Sequence, residues 1–166
     1  MTVNLFLKLL ILNLLQIIMS IITNKIKIFL STQKLGYVAT VSSEGKPNIS
    51  PKGTIIAWSS ELLAFANIRS PDTIINLQNN SFVEINVIDP LSRKGYLFMG
   101  TGKIIKDTTV YDDILRHYRN NGIESSINSI VLVDVSSVSE VTSPLYDLGK
   151  SEDEIKLKWK NYFNTL

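Results

Sequence analysis

The chain has 166 residues, 45% hydrophobic and 19% charged, and its 17 Lys+Arg against 15 Asp+Glu leave a net charge of +2. One domain's length with ample core residues excludes disorder, and near-neutrality excludes a nucleic-acid partner. With no cysteine and only His117, disulfides, thiol nucleophiles and a multi-histidine metal site are excluded; no metal is expected, leaving Lys, Arg, Tyr, carboxylate or organic-cofactor chemistry.

Residues 5–22 read LFLKLLILNLLQIIMSII. As a helix they would rise about 27 Å, just short of a bilayer core of about 30 Å. Lys8, Asn13 and Gln16 interrupt the run, and it lacks a small-x-small cleavage pattern. Residues 1–18 are therefore expected to be an N-terminal apolar extension upstream of a start at Met19, with a membrane anchor or signal as the alternative. Residues 19–166 are expected to form one cytoplasmic domain without a membrane role.

The spacing of Ile26, Phe29 and Leu30 predicts a short helix over 24–31. GYVATVS at 36–42 alternates and is rich in β-branched residues, which predicts a strand. Ser43-Glu44-Gly45-Lys46 turns the chain, with Gly45 supplying a positive φ. The returning strand runs over 48–58, where Pro51 and Gly53 predict an irregularity, and a third strand covers 62–68.

The period then changes. Ile74, Ile75 and Leu77 predict a helix over 70–80. Strands follow at 82–88 and 96–106, the latter reached past the basic turn Ser92-Arg93-Lys94-Gly95. Thr109 with Asp112 predicts the start of a helix to Tyr118. A sixth strand covers 130–141, and Ser151 with Glu154 predicts a capping box for a helix to Phe163. Six strands joined mainly by hairpins, with flanking helices, predict a mainly β, α+β fold: a six-stranded antiparallel barrel.

The segment Asn67-Ile68-Arg69-Ser70-Pro71-Asp72-Thr73 holds the strongest chemical signal. Ser70 is a good N-cap, and Pro71 suits the first helical position. The free N–H groups of that turn favour an anion, and Arg69, Ser70 and Thr73 add a forked cation and two hydroxyls, a phosphate cradle. An ordinary helix start with a solvated arginine has the same composition.

The runs LGYVATVSSEGKPNISPKGTI and FANIRSPDTIINLQNNSFVEINVIDP, with RKGYLFMGTGKI and SPLYDLGKSEDEIKLKWKNYF, resemble the pyridoxamine 5′-phosphate oxidase-like family of FMN-binding split barrels. The resemblance spans about residues 20–164 and rests on the ordered succession of blocks. It implies a split β-barrel, FMN as cofactor and a phosphate grip by Arg69, Ser70 and Thr73 after Asn67 and Ile68. Ser50, Lys52, Gly53 and Thr54 would lie along the isoalloxazine ring, with Lys52 supporting the anionic reduced flavin. A lysine on an exposed strand edge is the plain alternative for Lys52.

The family usually dimerises with flavins at the interface, so Arg93, Lys94 and Tyr96 could reach a partner's cofactor; a solvated turn is the alternative. Authentic pyridoxamine phosphate oxidases carry a C-terminal Arg/His segment that holds substrate, whereas this chain ends in KLKWKNYFNTL. That specific activity is therefore not carried over. The expected protein is an FMN-dependent oxidoreductase acting on a small organic substrate with a nicotinamide or other electron donor. A non-catalytic flavin or haem carrier is the alternative. His117 reads as a surface helix residue, and Trp58 and Trp159 as core or interface aromatics.

Overall fold

The computed structural model describes residues 20–166, so the expected extension at 1–18 and the start at Met19 lie outside the described residues. Among the described residues four helices surround one antiparallel sheet: α1 (Asn24–Thr32), α2 (Pro71–Asn79), α3 (Thr109–Asn120) and α4 (Glu152–Phe163). The strands are β1 (Gly36–Val41), β2 (Pro47–Lys52), β3 (Ile56–Ala57), β4 (Leu62–Asn67), β5 (Phe82–Asp89), β6 (Lys94–Ile105) and β7 (Ser129–Thr142). Seven strands replace the expected six because the returning strand breaks. β2 leaves its ladder after Lys52, Gly53–Ile55 cross over, and β3 pairs with β4 instead of β1.

The order is β2-β1-β5-β6-β7-β4-β3. β6 and β7, with 12 and 14 residues, form the long central ribbon. Its register shifts between Met99 and Gly100. A Cβ at position 100 would stand 2.1 Å from the carbonyl oxygen of Asp134, so the close approach at this bulge requires glycine. Gly45, at φ +77°, sits in the β1–β2 turn as its sequence context predicts.

Two apolar clusters fill the fold. Val38, Phe65, Val83, Ile85, Val87, Phe98, Val131 and Val133 pack inside the curled sheet against Ile26 and Leu30 of α1. Ala64, Ala66, Ile114, Tyr118 and Ile130 join α3 to the sheet's other face. The caps follow the sequence with two corrections: Ser70 makes no capping hydrogen bond at the start of α2, and Thr108, rather than Thr109, accepts from Tyr111 N at the start of α3. The Ser151–Glu154 capping box forms as expected. Among the described residues no helix is long and apolar enough to cross a membrane.

Candidate functional site

The outermost strands β2 and β3 are consecutive in the chain, so a three-residue crossing spans the split in the barrel. Thr54 pins that crossing on both sides. Its hydroxyl accepts from Ala66 N of β4 at 2.9 Å, and its carbonyl accepts from the Tyr118 hydroxyl of α3 at 2.8 Å. Burial pushes the Tyr118 phenol well above its ordinary pKa, so it remains a donor.

Lys52 ends β2 at this split. Although it lies on an edge strand, it is 6% exposed. Its ammonium donates to Ser50 Oγ and stands 5.9 Å from the centroid of the Phe65 ring. Among the described residues no carboxylate is within ion-pair distance of it. Burial pushes its pKa below the ordinary lysine value. The exposed-edge alternative is thereby set aside.

The start of α2 lies directly beyond β4. Pro71 occupies the first helical turn as expected, but Ser70 makes no capping hydrogen bond. Its hydroxyl instead donates to Asn67 Oδ1 at 3.4 Å, and Asn67 Nδ2 donates to Ser129 Oγ at 3.2 Å. The Thr73 hydroxyl is buried and has no partner among the described residues. Arg69 is exposed, as is Gly53, while Ile68 is half-buried. The fold therefore brings Lys52 and Thr54 beside Phe65 and Ala66, one or two residues before Asn67.

This donor set suits an anionic tail next to an electron-rich ring. It offers one buried and one exposed cation without carboxylate partners, an unsatisfied hydroxyl and a helix N-terminus. One group has the opposite sign: Asp72, in the first turn of α2, which the sequence reading passed over. It also missed Phe65 beneath Lys52, since an apolar residue inside a strand carries no sign of which ammonium lies over it.

The basic turn lies elsewhere. Lys94 pairs with Thr142 at one end of the β6–β7 ribbon, and Ser129 pairs with Asn67 at the other. Along β7 the two ends are separated by about 40 Å. Arg93 lays its guanidinium on Trp159 of α4 at 3.6 Å, while Lys94 binds Glu152 at 2.8 Å. Tyr96 is buried and packs edge-on against Phe29 of α1. Within one chain, Arg93, Lys94 and Tyr96 are therefore not brought to Arg69. His117 is exposed on α3, its ring 6.3 Å from that of Trp58.

A sequence profile described as pyridoxamine 5′-phosphate oxidase matches residues 22–138. The chain belongs to this family. No curated protein sequence matches it significantly. Among solved structures, HupZ of Group A Streptococcus is 25% identical, with a TM-score of 0.66 over 73% of this chain and 94% of that one. An FMN-binding protein from Syntrophomonas wolfei subsp. wolfei is 12% identical, with a TM-score of 0.66 over 83% and 98%. An F420 reductase is 20% identical, with a TM-score of 0.53 over 68% and 94%. The latter two establish the shared fold. The family segment contains the split, Lys52 and the start of α2; it stops before the end of β7 and α4.

Proposed function

We propose that this family member binds FMN at the barrel split and acts as an oxidoreductase on a small organic substrate, using a nicotinamide or other electron donor. The observation that carries the reading is Lys52, a buried ammonium that has no carboxylate partner among the described residues. Arg69, Ser70 and Thr73 would hold the phosphate, with Asn67 and Ile68 setting the approach. Ser50, Gly53 and Thr54 would line the ring, and Lys52 would stabilise negative charge on its N1/O2 edge. Bound flavin would supply the hydride or electron transfer, and the protein supplies position and charge. The fold shared with an FMN-binding protein is consistent with this assignment.

The same reading includes a homodimer with flavin at its interface. The outward face of β2, β1, β5 and β6 leaves Tyr37, Val41, Ile49, Phe82 and Met99 exposed, an apolar surface of the kind that a partner covers. Lys94 and Tyr96 would serve a flavin only through that second copy.

The test is the visible spectrum of the protein after FMN is added and the excess removed, with the mass read by ultracentrifugation. A retained flavin spectrum on a dimer is expected. Arg69→Ala should lose about 1.5–3 kcal/mol of FMN binding, the worth of a charge-assisted hydrogen bond. A colourless protein, or unchanged affinity in the variant, would overturn the cradle. Retained FMN that no nicotinamide reduces would favour the carrier over the oxidoreductase.

A further inference from the structure

The crossing between β2 and β3 is fastened to β1, β4 and α3. Ile55, buried, lies over Gly36 of β1, the residue paired with Lys52 in the β1–β2 ladder. Extended back past Ile56, the β3–β4 register would set Thr54 opposite Ala66. There the Thr54 hydroxyl, in place of its carbonyl, accepts the Ala66 amide at 2.9 Å. The carbonyl is thereby freed for α3, where the Tyr118 hydroxyl donates to it at 2.8 Å. Among the described residues this is the carbonyl's one hydrogen bond. Thr54 is buried, so loss of that donor would leave an unsatisfied acceptor inside the fold.

Lys52 stands directly before this crossing, so the path of the crossing decides how far water reaches its ammonium. The groups that meet the ammonium are Ser50 Oγ on its own strand and the Phe65 ring on β4. Among the described residues no carboxylate is within ion-pair distance. The burial of Lys52 is therefore set by backbone placement and not by a counter-ion. That placement depends in turn on what holds Thr54 and Ile55.

Helix α3 supplies its own comparison. Tyr111 lies earlier on the same buried face and donates its hydroxyl to Ile127 O at 3.2 Å. Both tyrosines belong to the apolar cluster between α3 and the sheet, and each serves one backbone carbonyl. Their targets differ: Ile127 leads into β7, whereas Thr54 belongs to the crossing.

We infer that Tyr118 is a positioning residue for the split: through the Thr54 carbonyl it holds the crossing where the Lys52 ammonium stays buried. Its bearing on the cofactor rests on the flavin reading above, in which Lys52 meets the N1/O2 edge of the ring from that place. Replacing either tyrosine by phenylalanine keeps the ring and removes one hydrogen bond, so the pair separates positioning from packing. The first readout is the titration of the Lys52 ammonium in the full chain without flavin, followed by nitrogen NMR and assigned with Lys52→Met. Burial holds that ammonium below the ordinary 10.5. Burial also holds the Tyr118 phenol well above its ordinary value, so it still donates while Lys52 titrates. In Tyr118→Phe the Lys52 titration should move up toward 10.5, and in Tyr111→Phe it should stay where the parent has it. The inference is overturned if Tyr118→Phe titrates like the parent, or if Tyr111→Phe shifts Lys52 equally.

The second readout is the midpoint potential of FMN bound to the same chains. Tyr118→Phe should reduce the preference for reduced over oxidised flavin about tenfold, a fall of about 30 mV for a two-electron couple. Tyr111→Phe should leave the potential unchanged. A potential in Tyr118→Phe equal to the parent's also overturns the inference. A parent chain that retains no FMN would sink the flavin reading alone, because the Lys52 titration is read without flavin and then decides the role of Tyr118 by itself.

Discussion

The two ends of the β6–β7 ribbon treat positive charge in opposite ways. At the split, Lys52 is buried against Phe65 and Arg69 stands at a helix start, neither with a carboxylate partner among the described residues. At the α1–α4 end three lysines are paired: Lys25 with Glu140 at 2.9 Å, and Lys94 and Lys156 with Glu152. Sequence composition hides this contrast, because both regions read as basic residues near turns. Burial separates them. A cation that loses water without gaining a counter-ion is held at a cost that a ligand can offset, whereas an exposed pair is close to neutral in energy.

The largest effect should come from removing the floor beneath Lys52. Phe65 is fully buried, and Phe65→Ala should cost about 3–5 kcal/mol of stability by chemical denaturation. A loss near 1 kcal/mol would show that the split is loosely packed and that the contrast in burial is overstated.

Lys52 itself should act in the other direction. Its pKa is lower in the fold than the ordinary 10.5. The unfolded chain therefore binds more protons between the two values, and stability rises with pH in the window below about 10.5. Lys52→Met should remove that rise and raise stability at neutral pH, since burial of the ammonium causes the shift. The same variant should weaken FMN binding. A parallel pH curve in parent and variant would mean that the ammonium is not held desolvated.

The smallest effect belongs to the paired end. The Glu152 pKa is lowered to about 2 from 4.5. Its contribution is present above pH 4.5 and is lost as pH falls toward 2. Exposure limits it to about 1 kcal/mol or less. Glu152→Gln should flatten that part of the acid stability curve and change little at pH 7. A large neutral-pH loss would make this end a structural clamp and erase the contrast.

Much of the fold was legible because strand alternation and turn chemistry act locally. Gly45, Pro71 and the Ser151–Glu154 box each announce a turn or a helix start through their own backbone requirements. The seventh strand was hidden because the break after Lys52 is decided at long range, by Thr54 binding β4 and α3. The helix start at Pro71 could be read directly. The burial of Lys52 could not, because Phe65 is thirteen positions away. Arg93 and Lys94 read as a basic turn, yet their partners Trp159 and Glu152 lie about 60 residues on, beyond the reach of any local pattern.

The two prolines of β2 have a consequence for how copies of this barrel can meet. β2 is an outermost strand, yet it keeps its full register with β1. Pro47 and Pro51 have no N–H to give, so the side of the strand they share with Ile49 must be the one turned away from β1. That rim offers an added strand a single donor, the Ile49 amide, and the opposite rim, β3, is two residues long. Neither border can template further strands, which guards the chain against fibrillar growth. What the two borders leave open to an approaching copy is the broad flank bearing Tyr37, Phe82 and Met99.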